Sequence, residues 1–380
     1  MTHIRIAIAT ATPHEKTETF IAAHIERLKE VVLVLTGGSL PEADGKGDPL
    51  LGSSKWAVLL FQFKHYILRQ DRATQLRRRI IKRLREQRVE LVLAEYGVTA
   101  MGILPCCQEL GIPLVTYFLG FDAYDQDVLK RMGHYQRLFA MTSGSIVVSH
   151  AMERQLLALG SPADRTVVIP CGVDLDRFKA TDPSLADPTF LAAGRFVHSK
   201  APNLLLSAFK RVMDARPHAK LIMVGDGPLW ESCHHFAKAE GMLGNVELVG
   251  RVDHAELARL MATSRAFVQH SISALTGDAE GMPVAVIEAM STGLPVIATR
   301  HMGIAESVVH GGTGLLCEEH DVETMARHMI AVVDDPALAG RMGAAGRMRA
   351  QELYGMDKSI GHVQEFLEKA AHRAKFTSRS

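Results

Sequence analysis

Short and almost continuous apolar runs alternate with helical stretches along the whole sequence. Five such runs lie in the first half of the chain, IRIAIAT, VVLVLT, VELVLAEY, IPLVTYF and SIVVS, and five in the second half, TFLAAG, AKLIMVG, NVELVG, RAFVQH and LPVIAT. Runs without polar alternation are typical of parallel strands that are covered on both faces. Because helical segments separate the runs, each half is predicted to be a doubly wound α/β sheet.

The length of the chain and one polar segment predict two domains. A chain of 380 residues exceeds the size at which a single hydrophobic core stops growing. The segment 171–188, CGVDLDRFKATDPSLADP, is rich in Asp and Pro and only weakly apolar, so the break is expected there. We predict domains at residues 1–173 and 187–356 that face each other across a cleft, and we interpret HGGTGLL and GSLPEADGKGDPLLGSS as loops.

The composition excludes several classes of protein. A formal net charge of +1 provides no overall attraction to nucleic acid. The N-terminus MTHIRIAIAT leads directly into an apolar strand without the pattern of a signal peptide, and no apolar stretch approaches the ~20 residues of a membrane-spanning helix. The five cysteines are scattered, which favours a reducing compartment without disulfides. We expect a cytoplasmic protein.

One helical segment is strongly basic. From Arg69 to Arg88 the sequence RQDRATQLRRRIIKRLREQR contains nine Lys or Arg against two carboxylates. Leu76, Ile80 and Leu84 recur at a spacing of four residues, which predicts one buried stripe. Two interpretations of the charged face stay open: a solvated outer surface, or contact with anionic lipid headgroups at the inner face of the membrane or with an anionic acceptor.

The loops beyond the carboxyl ends of the strands are where doubly wound sheets bind ligands. After the first strand, residues 9–17 read ATATPHEKT, so the G-x-G-x-x-G dinucleotide fingerprint is missing there, and the sequence also lacks a G-x-x-x-x-G-K-[ST] phosphate loop. Hydride transfer to NAD and P-loop phosphoryl transfer are therefore disfavoured. The turn VGDGPL at 224–229 is a weak signal, since any tight turn between strand and helix needs glycine.

Two glutamates flank a short apolar run in GDAEGMPVAVIEAM, residues 277–290. Pro283 suits the first turn of a helix, so a helix is predicted from about Pro283 to Ser291, with Gly293 as its stop. Glu280 then lies in the loop before the helix and Glu288 on its second turn. A helix start favours anions, and a carboxylate can hold vicinal hydroxyls by paired hydrogen bonds. A capping Glu280 and a solvated Glu288 are the plain alternatives, but a bound phosphorylated sugar explains the pair better.

Two cations lie in the loop after the first strand of the second half. In AAGRFVHSK, Arg195 and Lys200 are five residues apart. Two positive side chains in such a loop match the need of a diphosphate leaving group for charge neutralisation. Alone they would be surface charges. At this end of the sheet we interpret them as part of a ligand site.

Five segments, in order, carry a resemblance to a known family: VIPCGVDLDRF, AAGRFVHSK, VGDGPL, EGMPVAVIEAMSTGLPVIAT and GIAESVVHGGTGLL. They are similar to segments of family four of the retaining glycosyltransferases, the group 1 glycosyl transferases. In order, the family segments are the interdomain strand, the Gly-Arg…Lys loop, the Gly-x-Gly-Pro turn, the two glutamates with seven residues between them and the Gly-Ile-Pro-Glu segment. The resemblance covers nearly the whole chain. It implies the GT-B architecture, in which two Rossmann-like domains face each other. PHEKTETF and GDAEGMP resemble the branch that builds exopolysaccharide and colanic-acid-like polymers.

The resemblance implies an activity and a set of site residues. The activity is transfer of a hexose, with retention, from a UDP- or GDP-sugar to a saccharide or lipid-linked saccharide acceptor in bacterial surface or exopolysaccharide synthesis, without a metal ion or a cofactor. By motif match, Arg195 and Lys200 bind the diphosphate, Glu288 the ribose and Glu280 the transferred sugar. Further donor contacts are implied for Gly281, Met282, Pro283, Gly225, Gly250, Arg251 and Val252, and acceptor contacts for Thr17 and Glu18. A C-terminal helix at 357–375 would cross back onto the first domain.

The sequence departs from the family at one position. Where the family often has His-Gly-x-Asp, with the histidine ring facing the donor sugar, this chain has LGFD, with Leu119 in place of the histidine. Asp122 of this segment is included among the catalytic residues, and two roles stay open for it: contact with the acceptor, or orientation of the loop. Two alternatives to a transferase also stay open: an inactive sugar-nucleotide-binding subunit, and a sugar-nucleotide epimerase of the same architecture.

Overall fold

The computed structural model describes residues 3–12, 18–52 and 71–377. The chain divides into two compact units: unit 1 comprises residues 1–170 and 359–380, and unit 2 comprises residues 171–358. The polar segment 171–188, where the sequence predicts the break, belongs to unit 2.

Unit 1 is built around a largely parallel sheet. Over the described ranges its strands are β1 (Ile6–Thr10), β2 (Val31–Thr36), β3 (Ala43–Asp44), β4 (Leu91–Glu95), β5 (Leu114–Phe118), β6 (Gly144–Val147) and β7 (Thr166–Val168). Their order is β3-β2-β1-β4-β5-β6-β7. Every pair is parallel except β2 and β3, which are antiparallel.

The helices of unit 1 follow the strands in the manner of βαβ units. They are α1 (Thr19–Arg27), α2 (Arg72–Glu86), α3 (Gly97–Leu110), α4 (Phe121–Tyr124), α5 (Gln126–Arg131), α6 (Gln136–Met141) and α7 (His150–Ala158), with 3-10 turns at Gly133–Tyr135 and Ala163–Arg165. Residues 72–86 of the basic segment form α2, whose N-terminus is capped by Asp71, while Arg69 lies outside the described residues. Leu76, Ile80 and Leu84 are all buried, so the predicted apolar stripe is confirmed.

Unit 2 contains a second sheet, in which every described pair of strands is parallel. The strands are β8 (Thr189–Ala193), β9 (Lys220–Val224), β10 (Val246–Gly250), β11 (Ala266–Gln269), β12 (Val296–Thr299) and β13 (Gly314–Cys317), in the order β10-β9-β8-β11-β12-β13. The helices are α8 (Pro202–Ala215), α9 (Trp230–Ala239), α10 (His254–Ala262), α11 (Val284–Thr292), α12 (Met302–Ser307), α13 (Val322–Asp334) and α14 (Pro336–Leu353), with 3-10 turns at Pro183–Leu185 and His198–Lys200.

Each of the ten apolar runs contains all or most of a strand, which confirms the predicted α/β class. β1, β4, β5, β11 and β12 are buried along their whole length, and this double-sided burial explains why the runs lack polar alternation. The interpretation of HGGTGLL as a loop is wrong, because β13 begins within it and pairs with β12. A Cβ on Gly314 would lie 2.1 Å from the carbonyl oxygen of Val296, so the glycine permits a close strand approach there. The other predicted loop contains the short β3.

The last helix, α15 (Met356–Thr377), packs on unit 1 from Ser359 onward. The Ser359 hydroxyl donates to the carbonyl oxygen of Pro170 at 2.7 Å, and Glu368 pairs with His3 at 2.8 Å. On the inner face of the helix, Val363, Leu367, Ala370 and Ala371 are fully buried. Unit 1 is therefore completed by a segment that follows unit 2 in the sequence.

Two kinds of feature are absent from the described ranges. No helix there is both long enough and apolar enough to cross a membrane. In the same part of the chain, no group of three or more His, Cys, Asp or Glu side chains is arranged to hold a metal ion.

Candidate functional site

The direction of the chain connections reverses between β8 and β11 in unit 2. β8 leads to β9 on one side of the sheet, whereas β11 leads to β12 on the other. Such a reversal leaves a crevice beyond the carboxyl ends of the two strands. The loops at 194–201 and 270–283 border this crevice and are tied together, since Ile272 N donates to Ser199 O at 2.9 Å and Ser199 Oγ donates to Asp278 Oδ2 at 2.7 Å.

Lys200 and Glu280 meet across this crevice. Lys200 Nζ lies 2.8 Å from Glu280 Oε1, and the two side chains are only 18% and 15% exposed. A pair this well covered is screened by salt much less than a surface pair. Because an ammonium group carries three N–H donors, Lys200 keeps donors for a ligand oxygen beside its bond to Glu280.

Arg195 lies exposed on the same loop as Lys200. Over the described ranges no carboxylate forms an ion pair with its guanidinium group, so its charge is available to an anionic ligand. The backbone of this loop is fixed, because Phe196 N donates to Asp226 O at 2.7 Å and Gly194 N donates to Val224 O at 3.0 Å.

The turn VGDGPL packs directly against the Arg195 loop. Gly225 has φ +130°, and a Cβ there would lie 1.9 Å from the carbonyl oxygen of Gly194. Gly227 has φ +148°, and its Cβ would lie 2.6 Å from the carbonyl oxygen of Phe196. The two glycines are therefore required by close approach to the loop that carries Arg195 and not only by the turn itself.

A small pocket lies at this end of the sheet. Its volume is about 320 Å³, part of which is open to solvent, and it is mostly apolar, with these lining residues: Ala192, Ala193, Gly194, Arg195, Phe196, Lys200, Pro202, Leu205, Met223, Val224, Val268, Gln269 and His270. The buried Oε1 of Gln269 has no hydrogen-bond partner among the described residues, while its amide nitrogen donates to Ser271 Oγ at 2.8 Å. An apolar pocket with two cations and one unused acceptor suits a polar ligand that has an anionic part.

Two residues that the sequence analysis does not single out support the loop of Glu280. Glu280 N donates to His301 Nε2 at 3.2 Å, and His301 Nδ1 lies 2.6 Å from Glu319 Oε1. Both residues follow strands at the same sheet edge, His301 after β12 and Glu319 after β13. A histidine and a glutamate placed directly after neighbouring strands is the signal that could have identified them.

Glu288 lies on α11 and is buried, with 5% of its surface exposed. A solvated Glu288, one of the plain alternatives, is therefore wrong. Burial raises the pKa of this carboxyl to about 7, against the opposing effect of the Arg177 charge. His254 Nδ1 lies 4.0 Å from Glu288 Oε1, and burial together with Arg177 lowers the pKa of that imidazole. The carboxylate has two basic neighbours, but neither is Lys200 or Arg195.

The start of α11 differs slightly from the prediction. Pro283 is the N-cap residue, with an extended ψ of 114°, and the helix runs from Val284 to Thr292 before it ends at Gly293, which has φ +90°. No side chain caps this helix, so the alternative of a capping Glu280 is wrong as well. Gly281, Met282 and Pro283 are buried, and they place the uncapped first turn next to the loop of Glu280.

The residues predicted to lie beside the base, 250–252, begin at the last residue of β10. Gly225 N donates to Gly250 O at 2.7 Å, which joins this loop to the glycine turn. The exposed Arg251 is paired with Asp226, with Nε 2.6 Å from Oδ2. Val252 is half-buried beside them. Base contacts for these three residues stay a prediction.

The carboxylate of Asp122, in unit 1, is buried and held by backbone hydrogen bonds. It is fully buried and accepts backbone N–H groups from Gly97 at 2.8 Å, Leu119 at 3.1 Å and Gly120 at 3.0 Å. Burial raises the pKa of Asp122, although the backbone hydrogen bonds work against this. A carboxylate with no exposed surface and three bound amides cannot reach an acceptor, so of its two predicted roles we retain orientation of the loop and withdraw the catalytic one.

Of the predicted acceptor residues, Glu18 is described and Thr17 lies outside the described residues. Glu18 Oε1 accepts the hydroxyl of Tyr96 at 2.8 Å, and Glu18 Oε2 accepts the hydroxyl of Thr12 at 3.0 Å. Tyr96 has φ +74°, an uncommon conformation for a bulky residue. Glu18 is exposed and lies where the connections of unit 1 reverse, between β1 and β4.

Comparison with known families and proteins gives matches along most of the chain. The model described as Glycosyltransferase Family 4 matches residues 20–177, and the model described as Glycosyl transferases group 1 matches residues 176–349. Arg195, Lys200, Glu280 and Glu288 all lie within the second match.

Curated relatives are similar at moderate identity. The amylovoran biosynthesis glycosyltransferase AmsK of Erwinia amylovora is 28% identical over 261 residues, which cover 68% of this chain and 64% of that protein. The GDP-mannose-dependent alpha-(1-6)-phosphatidylinositol monomannoside mannosyltransferase of Mycobacterium tuberculosis is 29% identical over 253 residues, or 64% of each protein. The match therefore spans less than two thirds of the length of these relatives.

Solved structures share the fold at lower identity. HepE of Anabaena, in complex with UDP-glucose, has a TM-score of 0.76 and 19% identity, covering 97% of this chain and all of that one. The sucrose-phosphate synthase of Thermosynechococcus elongatus has a TM-score of 0.72 and 18% identity, covering 98% of this chain and all of that one. With the two family models matching consecutive halves, the chain belongs to the family four and group 1 glycosyltransferases with the GT-B fold.

Proposed function

We propose that this glycosyltransferase transfers a hexose from a UDP- or GDP-sugar to a saccharide or lipid-linked saccharide acceptor, in the synthesis of a bacterial surface polysaccharide. The observation that carries the proposal is the covered Lys200–Glu280 pair beside Arg195 at the strand-order reversal of unit 2. The names of the relatives support it, since one acts in amylovoran biosynthesis, others are assigned to colanic acid biosynthesis, and another depends on GDP-mannose.

Arg195 and Lys200 would hold the diphosphate as it leaves. Negative charge builds up on the leaving oxygen in the transition state, and two positioned cations stabilise it without reorganisation of water. We therefore propose a reaction that is independent of a metal ion. Glu280 would orient the hydroxyls of the transferred sugar, and Glu288 would accept the vicinal hydroxyls of the ribose.

We propose that the transfer proceeds with retention of configuration at the anomeric carbon. Leu119 has no group that can exchange a proton, so the acceptor hydroxyl needs another base. The leaving diphosphate oxygen, held by Arg195 and Lys200, lies on the face of attack that retention requires and can accept that proton. Unit 1 would bind the acceptor, with Glu18 as the candidate contact.

A panel of nucleotide sugars tests the activity. UDP-, GDP- and ADP-linked hexoses are first ranked by the thermal shift that each produces. The best donor is then assayed for release of nucleoside diphosphate and for transfer to short saccharides, with and without EDTA. Turnover that persists in EDTA and a product with the donor's anomeric configuration by NMR are expected. Inversion, or activity that needs magnesium or manganese, would contradict the proposal.

Leu119 also supports a second candidate, an inactive sugar-nucleotide-binding subunit. Its backbone N–H is bound to Asp122, so the segment keeps its shape without the histidine of the family. The same panel separates the two functions, because a subunit of this kind binds the nucleotide sugar but does not turn it over. Interconversion of the free nucleotide sugar without an acceptor would instead indicate the epimerase.

We further propose that the exposed cations of α2 contact an anionic membrane surface. Three of them already have carboxylate partners: Arg72 with Glu42, Lys82 with Glu86, and Arg83 with Asp44. Charge reversal of Arg77 and Arg85, both exposed, should abolish sedimentation with phosphatidylglycerol vesicles, and vesicles of phosphatidylcholine alone should bind neither protein.

The matched control for the membrane proposal reverses two exposed lysines of unit 2. Lys179→Glu with Lys238→Glu makes the same change in net charge on another part of the surface. This control should sediment with phosphatidylglycerol vesicles almost as the unmodified protein does. Equal loss in both double variants would show that net charge, and not α2, determines binding.

A further inference from the structure

A continuous series of contacts leads from Lys200 through Glu280 to the far end of the sheet. Glu280 Oε1 binds Lys200 Nζ at 2.8 Å, and Glu280 N donates to His301 Nε2 at 3.2 Å. His301 Nδ1 lies 2.6 Å from Glu319 Oε1, and Ser273 N donates to Glu319 Oε2 at 2.9 Å. The loop that carries Glu280 is thus attached to the segments that follow β12 and β13.

These partners fix the protonation of the imidazole. The backbone N–H of Glu280 can only donate, so Nε2 of His301 must be the unprotonated nitrogen. Glu319 accepts at Oε1, so Nδ1 carries the proton. Burial works to raise the pKa of Glu319, but the hydrogen bonds from His301 and from the Ser273 amide bring the pKa below its usual range. The ionised carboxylate therefore accepts from Nδ1, and Nε2 is left as the acceptor of the Glu280 N–H.

The surroundings of His301 leave it little freedom. Its side chain is fully buried, whereas that of Glu319 is 28% exposed. The next residue, Met302, has φ +35°, and Ala201, next to Lys200, has φ +36°. A Cβ on Gly303 would lie 2.2 Å from the carbonyl oxygen of Gly281. Strained backbone held by close packing is typical of functional sites, and here it lies next to both ends of the Lys200–Glu280–His301 series.

We propose that His301 and Glu319 are positioning residues that hold the loop of Glu280 in the geometry needed for transfer. His301 acts through the backbone of Glu280, and Glu319 acts through the tautomer of His301. The inference rests on the proposed function, because Glu280 is the residue assigned to the transferred sugar. The inference adds which residues hold Glu280 in position. Small errors in the position of such a residue reduce turnover strongly.

The first test needs no substrate. In protein labelled with ¹⁵N-histidine, the His301 signals are assigned by their loss in His301→Gln, and long-range proton–nitrogen correlation then identifies the tautomer. The neutral Nδ1–H form is expected near pH 7. A neutral Nε2–H form or a doubly protonated ring would overturn the proposal, because neither can accept the N–H of Glu280.

The second test changes Glu319 to glutamine. Glu319 accepts from two groups at two oxygens, whereas an amide offers one oxygen and one NH₂ group. If the amide oxygen of the new glutamine accepts from Ser273 N, its NH₂ group faces Nδ1 of His301. Because NH₂ can only donate, the imidazole proton moves from Nδ1 to Nε2. There it faces the N–H of Glu280, and the hydrogen bond is lost. In Glu319→Gln, kcat is expected to fall at least about tenfold, with KM for the donor nearly unchanged, since the nucleotide contacts are elsewhere.

Glu318→Gln is the matched control. Glu318 is the adjacent residue, is 73% exposed and pairs only with Arg300 in the described structure, at 3.2 Å. The control removes the same charge without contact to His301, so its kcat should equal that of the unmodified enzyme. His301→Gln, which keeps one acceptor and one donor, should retain more activity than His301→Ala.

The outcomes separate this inference from the proposed function. Absence of turnover in the unmodified protein with every donor contradicts the proposed function, while the tautomer measurement still tests the inference. Normal turnover in the unmodified protein together with an unchanged kcat in Glu319→Gln overturns the positioning role alone. An equal loss in Glu318→Gln and Glu319→Gln also overturns it, because the effect would then be one of surface charge.

Discussion

Replacement of Glu288 by glutamine should stabilise the protein above neutral pH. The carboxyl group is 5% exposed, and burial raises its pKa from 4.5 to about 7. Between these values the folded state holds a proton that the unfolded state has released, so the free energy of unfolding falls as the pH rises. The total loss corresponds to about 3 kcal/mol, and it is essentially complete at pH 8.

Glu288→Gln does not titrate, and therefore does not suffer this loss. Its free energy of unfolding relative to the unmodified protein should rise by about 3 kcal/mol between pH 4.5 and pH 8, because all other titrating groups are shared by both proteins. Differential scanning calorimetry at a series of pH values should show the melting transition of unit 2 shift upward by about 6–12 °C at pH 8 for a unit of this size. Only a small shift is expected at pH 5.

The control is the same substitution at Glu247, which is exposed on β10 and reports the cost of the chemical change without burial. A difference in the free energy of unfolding between Glu288→Gln and the unmodified protein that does not vary with pH would refute the reasoning. It would mean that Glu288 is not protonated in the folded state near neutral pH.

Donor binding tests the protonation of Glu288 independently. If the ionised carboxylate accepts the ribose hydroxyls, donor affinity should increase from pH 6 to pH 8, and this increase should be lost in Glu288→Gln.

Three further predictions concern the other contacts of the two units. Lys200→Met should lower kcat by about 10²- to 10³-fold with a smaller effect on KM, because the cation acts mainly in the transition state; a pure KM effect in steady-state kinetics would contradict this. Asp122→Asn should destabilise unit 1 by about 2–4 kcal/mol, since an amide cannot accept from all three backbone N–H groups. Nucleotide binding, measured by calorimetry, should stay unchanged. If the variant lost turnover but kept full stability, the catalytic role of Asp122 would be restored. Gly225→Ala should abolish thermal stabilisation by UDP and GDP, because its Cβ would collide with the Gly194 carbonyl oxygen; a normal thermal shift would show that the turn does not support the Arg195 loop.

Most of the fold was predictable because parallel strands leave a strong sequence signal. Strands covered on both faces, such as β4 and β12, are apolar at nearly every position. The ten apolar runs of the sequence show this pattern directly. β13 was missed because it begins at Gly314, where close contact with Val296 requires a residue that normally indicates a turn. β3 is only two residues long, too short for any periodic pattern.

The predictability of the site depended on how each residue acts. Lys200 and Glu280 were identifiable because their charges lie in loops where this kind of sheet binds ligands, although the sequence gives no distance between them. His301 and Glu319 were missed because they act by hydrogen bonds to a backbone N–H and to each other, and such partners are separated by 18 to 21 residues. The sequence left two roles open for Asp122, because the burial that favours orientation of the loop is not written in the segment LGFD.

The return of α15 to unit 1 fixes the order in which the chain can be completed during synthesis. Unit 2 is continuous from Cys171 to Lys358, so all its strands are synthesised before the helix that completes unit 1. Until then the surface later covered by Val363 and Leu367 stays open on a nascent domain whose sheet has long been synthesised. Domains usually fold in the order of their synthesis, but in this chain the second unit can be completed first, because the first needs the helix that begins after unit 2.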